Sequence, residues 1–358
     1  MGKKILYAAS NMQHINNFHK EYICALRNEG NEVLVMARGE GADFDVPFEK
    51  KFFSPKNKTA RKYIKDILAK ESFDTVILNT SLAAFHIRLA LSKRKRPRVV
   101  NFVHGYLFSK DVHFIKRCAL LLAEKLCASK TDSIITMNRF DYEAAIKYKL
   151  CKGQVYNSLG MGASPRSIEE SSLSVRDELA IGDRFLLLFV GELSKRKNQE
   201  FLIRSMPDII ARIPDATLLL VGEGDERQSL ELLVKELSIE ANVIFAGARR
   251  DVARIMRECD LYVSAATIEG MPFNVLEAMA ERRTVLISDI KGHQDIIEEG
   301  IDGYLYKLNK REAFVKSVIE IYSDNKIDSS AIYRKYLKYS KDEVFSKTLE
   351  VIRKAADL

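Results

Sequence analysis

No CxxC pair occurs among the five cysteines, Cys24, Cys118, Cys127, Cys151 and Cys259. An odd number without paired spacing argues against a disulfide framework and against a structural zinc site. A reducing, cytoplasmic setting is the expectation. No apolar run approaches the roughly 20 residues that span a bilayer. The opening MGKKILYAAS has a basic start, but its short apolar run reads as a first strand and not as a cleavable signal. Leu6 stands where a myristoylation site needs Ser or Thr. LLLVGEGDER carries Gly222 and Gly224 but lacks the third glycine of a dinucleotide fingerprint. There is no short-period repeat, no low-complexity tract and no recognised nucleic-acid motif.

What is present is a chain of 358 residues, long enough for two average domains, with 47% hydrophobic and 30% charged residues. The formal net charge of +8 favours anionic partners without choosing among nucleotides, lipid head groups and nucleic acid. Short β-branched runs alternate with amphipathic stretches. KILYAA, EVLVMA, TVILN, RVVNFV and SIITM read as strands of a first half, and FLLLFV, ATLLLVG, NVIFAG, LYVSA and TVLIS as strands of a second. Between them, residues 17–29 and 198–212 have helical spacing. This alternation predicts α/β architecture with parallel sheets covered on both faces. The plan restarts near Phe185, and the Gly-, Ser- and Pro-rich stretch 157–174 is the linker candidate. The expectation is two Rossmann-like domains facing each other across a cleft, one over 1–165 and one over 166–339. A helix over 340–358 caps the second domain or crosses back to the first.

The segment with most chemistry is EGMPFNVLEAMA, Glu269 to Ala280. It follows the strand LYVSA, and helical periodicity begins near Asn274. Backbone N–H groups at a helix start lack intrahelical partners and suit a phosphate. Glu277, one turn in, can accept from ribose hydroxyls, and Glu269, before the turn, from a sugar. Two glutamates at this spacing mean little by themselves; the strand, turn and helix around them carry the reading. In VGELSKRKNQEFLI, Gly191 permits close backbone approach at a strand end, and Lys195, Arg196 and Lys197 cluster where the loop enters a helix. Cations there can neutralise a diphosphate leaving group; a solvated basic loop is the bland alternative. FAGARRDV ends another strand and can present backbone groups to a base, with Arg249 joining the donor-binding set.

In the first half, VVNFVHGYLFSKD places His104 and Gly105 directly after a strand, where side chains face a ligand crevice. SNMQHINNFH, after the first strand, offers Asn11, His14 and Asn16 to the same crevice on the acceptor side. Asp43-Phe44-Asp45 has the look of a metal-binding Asp-x-Asp but reads as a loop accident, and no metal is expected. HFIKRCALLLAEKLCASK, residues 113–130, is amphipathic and basic, and RKYIKDILAK and KRKRPR add positive charge. Its apolar face packs on a sheet; contact with an anionic membrane surface is a further option.

These residues resemble family 4 of the retaining glycosyltransferases, with the two-Rossmann GT-B fold. VGELSKRKN is similar to that family's VGRLxxxKG, and EGMPFNVLEAMA to its EGFGxxxLEAMA with the Glu-x7-Glu signature. NFVHGYLFSKD, the long basic helix and TDSIITMNRFDYEAA resemble the subgroup that builds capsular and exopolysaccharide units. The resemblance implies that Lys197 contacts the donor diphosphate and Glu269 holds the transferred sugar. It implies backbone N–H groups from Phe273, Asn274 and Val275 toward sugar and phosphates, Glu277 on the ribose, and His104 on the sugar near the reacting centre. Three positions depart from the pattern. Glu192 stands where the family has arginine, which Arg196 can replace. Pro272 and Asn274 flank Phe273, giving a stiffer turn, and Asn198 replaces a glycine.

The expected activity is transfer of a hexose-type sugar, with retention, from a UDP-sugar to a hydroxyl of a polyprenyl-diphosphate-linked saccharide in capsule, exopolysaccharide or O-antigen synthesis. The UDP-sugar is substrate and no cofactor is expected. The setting is cytoplasmic, with peripheral attachment to the anionic inner-membrane face as an option. Two rivals are a GT-B-fold UDP-amino-sugar epimerase and a non-enzymatic nucleotide- or nucleic-acid-binding protein; nucleic acid is the least favoured partner.

Overall fold

The computed structural model describes residues 2–49, 54–92, 96–108, 113–164 and 173–358. Part of the linker candidate, the first three residues of KRKRPR and the Ser-Lys-Asp of HGYLFSKD lie outside the described residues.

The chain forms two compact units: Met1–Met161 with Val344–Leu358, and Gly162–Glu343. In the first, β1 (Lys4–Ala8) leads through α1 (Met12–Phe18) and α2 (Lys20–Asn28) to β2 (Glu32–Ala37) and β3 (Phe44–Asp45). Then come α3 (Asn57–Lys70), β4 (Thr75–Leu78), α4 (Ser81–Ala90) and β5 (Arg98–Val103). The rest of this run is α5 (Phe114–Ala128), β6 (Ser133–Thr136), α6 (Arg139–Lys147) and β7 (Val155–Asn157). The seven strands run parallel in the order β3-β2-β1-β4-β5-β6-β7.

The second unit holds α7 (Val175–Glu178), β8 (Leu186–Val190), α8 (Gln199–Ile210), β9 (Thr217–Val221) and α9 (Arg227–Glu236). It continues with β10 (Val243–Gly247), α10 (Val252–Glu258), β11 (Leu261–Ser264), α11 (Phe273–Ala280) and β12 (Val285–Ser288). It closes with β13 (Tyr304–Tyr306), α12 (Arg311–Ser323) and α13 (Ser329–Leu337). Its parallel sheet has the order β10-β9-β8-β11-β12-β13.

The strands are continuous apolar runs because both sheet faces are covered by helices. β8 and β9 are buried at every residue. Leu187, Phe189, Leu218 and Leu220 meet Leu202, Ile203 and Met206 of α8 in the second unit's core. The ten strands read from apolar runs all form. The three short strands β3, β7 and β13 carry no such run; their places are set by pairing at or near a sheet edge.

One helical boundary differs from the expectation, and the final helix follows one of its two expected courses. The helix anticipated over 17–29 is broken at His19, which has φ −123°, ψ −11° and caps both α1 and α2. The final helix α14 (Lys341–Ala356) runs from the second unit into the first, where Ala355 O accepts from Arg98 Nε at 2.7 Å and Arg353 pairs with Glu29.

In each sheet the order reverses beside the first strand of its unit, at β1/β4 and at β8/β11. Ligands of open α/β sheets bind beyond the carboxyl ends of strands at such a switch point. Gly191 and Glu269 follow β8 and β11, which are neighbours, although 78 residues separate them in the chain.

Candidate active site

At the carboxyl ends of β8 and β11, Lys197 Nζ donates to Glu269 Oε1 at 2.6 Å, and Arg196 Nη1 donates to the same oxygen at 3.1 Å and to Ile268 O at 3.2 Å. The Glu269 and Lys197 side chains are 9% and 12% exposed, and Arg196 is half-exposed at 46%. The two loops are stitched further by Thr267, whose N–H donates to Arg196 O at 2.9 Å. A carboxylate that is nearly buried needs a paired cation to stay ionised. Here it has two, one sheltered and one reaching solvent.

The positions that departed from the family pattern have local explanations. Asn198 adopts φ 56°, ψ 43° at the start of α8. That left-handed conformation is one glycine supplies freely and asparagine tolerates better than most residues. Glu192 gives no cation to the cluster; its carbonyl accepts from Gln199 Nε2 at 2.8 Å. Pro272 precedes α11 with φ −85°, ψ 82°. The turn it forms engages the N–H of Phe273 with Met271 O and that of Val275 with Pro272 O, each at 3.1 Å. Asn274 spends its side chain on the carbonyl of Val190, tying the start of α11 to the end of β8.

Gly191 is required by that packing, since a Cβ there would sit 3.0 Å from Asn274 Nδ2 at φ +153°. Gly222 is tighter still: its Cβ would lie 1.9 Å from Gly191 O. A Cβ on Gly224 would meet Leu193 O at 2.2 Å. The incomplete glycine motif therefore serves close packing of the β8 and β9 loops. Glu277 lies half-buried on α11. Burial, with the Glu277 charge adding to it, raises the pKa of the Tyr262 phenol well above its ordinary value.

Arg249 is occupied elsewhere in this unit. It bonds Glu178 and, at 2.8 Å twice, Asp251, and Arg254 shares both carboxylates. These bonds raise the pKa of its guanidinium, Asp251 first and Glu178 next. The arginine after β10 thus braces α7 against α10.

His293 was missed in the sequence. It is fully buried after β12, and its Nδ1 lies 2.7 Å from Ser288 O. A carbonyl can only accept, so the proton is on Nδ1 and Nε2 carries a lone pair. That Nε2 is buried without a partner. Burial lowers the pKa of the imidazole to about 4, partly offset by its bond to Ser288 O and by the Glu269 charge, while the Lys197 charge adds slightly to the lowering. The neighbouring Gly292, at φ +86°, would bring a Cβ to 2.7 Å from Glu269 O. The signal for His293 was a histidine beside a glycine a few residues past a strand; His104 is also beside a glycine, but directly after its strand.

The first unit has its own cluster. His104 follows β5, and His14 lies on α1 after β1. His104 Nε2 contacts His19 Nε2 at 2.9 Å, and His19 Nδ1 contacts Tyr7 Oη at 2.9 Å. His14 sits edge-on to His104, ring centroids 4.6 Å apart, with Nε2 buried and unpartnered. Burial lowers the pKa of His14 to about 4. Among the described residues these three imidazoles form a group whose ligating atoms all lie within 4.8 Å, a spacing from which one metal ion could be held. The direct His19–His104 bond already engages one nitrogen of each. His19 was not picked out in the sequence, because the single helix anticipated there concealed the break that turns it inward. Asn16 is exposed, and Asn11 caps α1 by accepting from His14 N at 2.8 Å. Asp43 and Asp45 accept backbone N–H groups of Val35 and Gly39, a structural use of the Asp-x-Asp.

α5 packs Leu120, Ala123 and Cys127 inward and exposes Phe114, Ile115, Leu122 and Leu126, each more than half exposed. Among the described residues no helix is long and apolar enough to cross a membrane.

The chain is 28% identical to EpsD of Bacillus subtilis over 336 residues, covering 90% of this chain and 88% of that one. It is 24% identical over 265 residues to the UDP-Gal:alpha-D-GlcNAc-diphosphoundecaprenol alpha-1,3-galactosyltransferase of Escherichia coli, covering 72% and 68%. In structure it is similar to HepE of Anabaena in complex with UDP and glucose, with a TM-score of 0.76, 18% identity and coverage of 98% and 100%. That likeness gives the fold as GT-B. Residues 173–338, which contain Lys197, Glu269, α11 and His293, match the family model for glycosyl transferases group 1, and the chain is a glycosyltransferase.

Proposed function

We propose that this glycosyltransferase moves a hexose-type sugar from a UDP-sugar to a hydroxyl of a polyprenyl-diphosphate-linked saccharide, with retention of anomeric configuration. The observation that carries the reading is the Lys197–Glu269 pair at the β8/β11 switch point, next to the start of α11. An ammonium has three donors. With one on Glu269, Lys197 keeps others for a donor diphosphate as negative charge develops on it. Glu269, fixed by Lys197 and Arg196, presents its second oxygen to sugar hydroxyls. Glu277 takes the ribose. The UDP and glucose named with HepE and the UDP-Gal and diphosphoundecaprenol named with the Escherichia coli relative support this choice of donor and acceptor.

In this reading the departing diphosphate accepts the proton of the incoming hydroxyl on the same face of the sugar, so no carboxylate nucleophile is required and no metal or cofactor enters. His104 contacts the sugar. Attachment to the membrane is peripheral, through the exposed apolar side chains and flanking cations of α5, which suit an anionic interface.

The test is transfer of radiolabel from a panel of nucleotide sugars to short lipid-linked acceptors by the purified protein, with anomeric configuration read by NMR. Lys197→Ala and Glu277→Ala are expected to abolish transfer. Full activity in both variants overturns the reading, and product formed from the nucleotide sugar without acceptor points instead to an epimerase.

A further inference from the structure

The Nε2 atoms of His19 and His104 are 2.9 Å apart. Two neutral imidazoles bond at that distance only if one nitrogen carries the proton and the other a lone pair. Both rings are neutral at pH 7, because burial holds each pKa well below 6.5, with the neighbouring imidazoles adding to the effect. Which ring donates is decided one residue further back. Tyr7 lies on β1, is fully buried, and its hydroxyl bonds His19 Nδ1 at 2.9 Å. Burial keeps the phenol protonated. A buried hydroxyl whose proton finds no acceptor costs about 1–3 kcal/mol, so the phenol donates to Nδ1. His19 then holds its proton on Nε2 and donates to His104 Nε2. The proton of His104 is left on Nδ1.

We infer that Tyr7 and His19 hold His104 as the Nδ1-protonated tautomer, so that Nδ1 meets a ligand oxygen as a hydrogen-bond donor and not as a base. His104 is partly exposed whereas Tyr7 and His19 are buried, so the relay runs outward from the core. Phe102 stacks on the His104 ring at 5.2 Å and 27°, and His14 stands edge-on to it. Both contacts oppose the ring flip that would exchange the two nitrogens. His19 is a positioning residue: it acts on the ligand only through His104. The inference rests on the reading of His104 as a sugar contact, but the tautomer is a property of the protein alone.

The experiment is long-range 1H–15N correlation NMR of the full chain labelled at histidine, with the six histidines assigned by single substitution. His104 is expected to show its proton on Nδ1. His19→Gln, whose amide nitrogen falls near the place of Nε2, should retain that tautomer and most of the transfer rate. His19→Leu removes the donor; His104 should then shift toward the Nε2 proton and kcat fall about tenfold, the worth of one hydrogen bond, with donor KM unchanged. Tyr7→Phe, a milder change, should give mixed tautomers at both rings. A wild-type His104 protonated on Nε2, an unaltered tautomer in both His19→Leu and Tyr7→Phe, or a stoichiometric metal ion on the three imidazoles overturns the inference. The spectra need no sugar nucleotide, so failure of transfer in the wild type would remove the glycosyl-transfer reading while leaving the tautomer assignment standing.

Discussion

Lys197 and Glu269 are joined by a 2.6 Å bond with both side chains nearly out of water. A buried pair of this kind has a strong Coulomb attraction and a large desolvation cost, and the two largely offset each other. Its effect is therefore felt most when one partner is removed. Lys197→Met leaves Glu269 with only the half-exposed Arg196 among its described cation partners. The expected outcome is a fall in kcat of about 10²–10³, the range seen when one donor to developing charge is lost. Steady-state kinetics with saturating donor measures it; a change confined to KM would mean that Lys197 contributes uniform binding only.

Gly222 lies where a Cβ would meet Gly191 O at 1.9 Å, with φ +142°. Backbone cannot yield as a flexible side chain does. Gly222→Ala is expected to cost about 1–3 kcal/mol of stability and to weaken nucleotide binding, because it pushes the β8 loop away from Asn274. Urea unfolding and isothermal titration with UDP check the two effects. Gly182→Ala has no atom within 4 Å of its Cβ and shares only the positive-φ strain, so it is the control.

His293 has its pKa lowered from 6.5 to about 4 by burial. The unfolded chain therefore binds a proton that the folded protein refuses. This stability is fully present above pH 6.5 and is lost as pH falls through about 4, on the order of 3 kcal/mol for the one group. His14, with a similar lowering, acts in the same window. His293→Asn keeps a donor to Ser288 O and does not titrate. Denaturation between pH 7 and pH 4 should show a shallower acid loss in that variant; equal slopes would mean the imidazole is not buried as a neutral ring.

Leu122 and Leu126 of α5 are 57% and 63% exposed. Leu122→Glu with Leu126→Glu is expected to abolish sedimentation with phosphatidylglycerol vesicles and to leave transfer to a water-soluble acceptor unchanged. Wild-type binding should weaken with added salt, since the lysines and arginine of α5 supply part of the attraction. Retained vesicle binding in the double variant would move the membrane contact to another surface.

The ten main strands, the restart near Phe185 and the cluster around Lys197 and Glu269 were legible in the chain because each depends on local chemistry. Apolar runs of strand length, a glycine at a strand end and a helix start are visible over ten residues or fewer. Phe273, Asn274 and Val275 were legible as a helix start, but the bonds that engage two of their N–H groups follow from the turn geometry that Pro272 imposes. What tertiary structure alone decided is which distant segments meet. Arg249 resembled a ligand cation by position, yet Glu178, 71 residues earlier, neutralises it. His19 looked like one more polar residue on a helix, until the break between α1 and α2 turned it toward Tyr7 and His104. His293 became notable only when sheet order set β12 beside β11. Pattern along a chain reports secondary structure because backbone hydrogen bonding is local; a buried polar network needs partners far apart in sequence, and no single stretch records them.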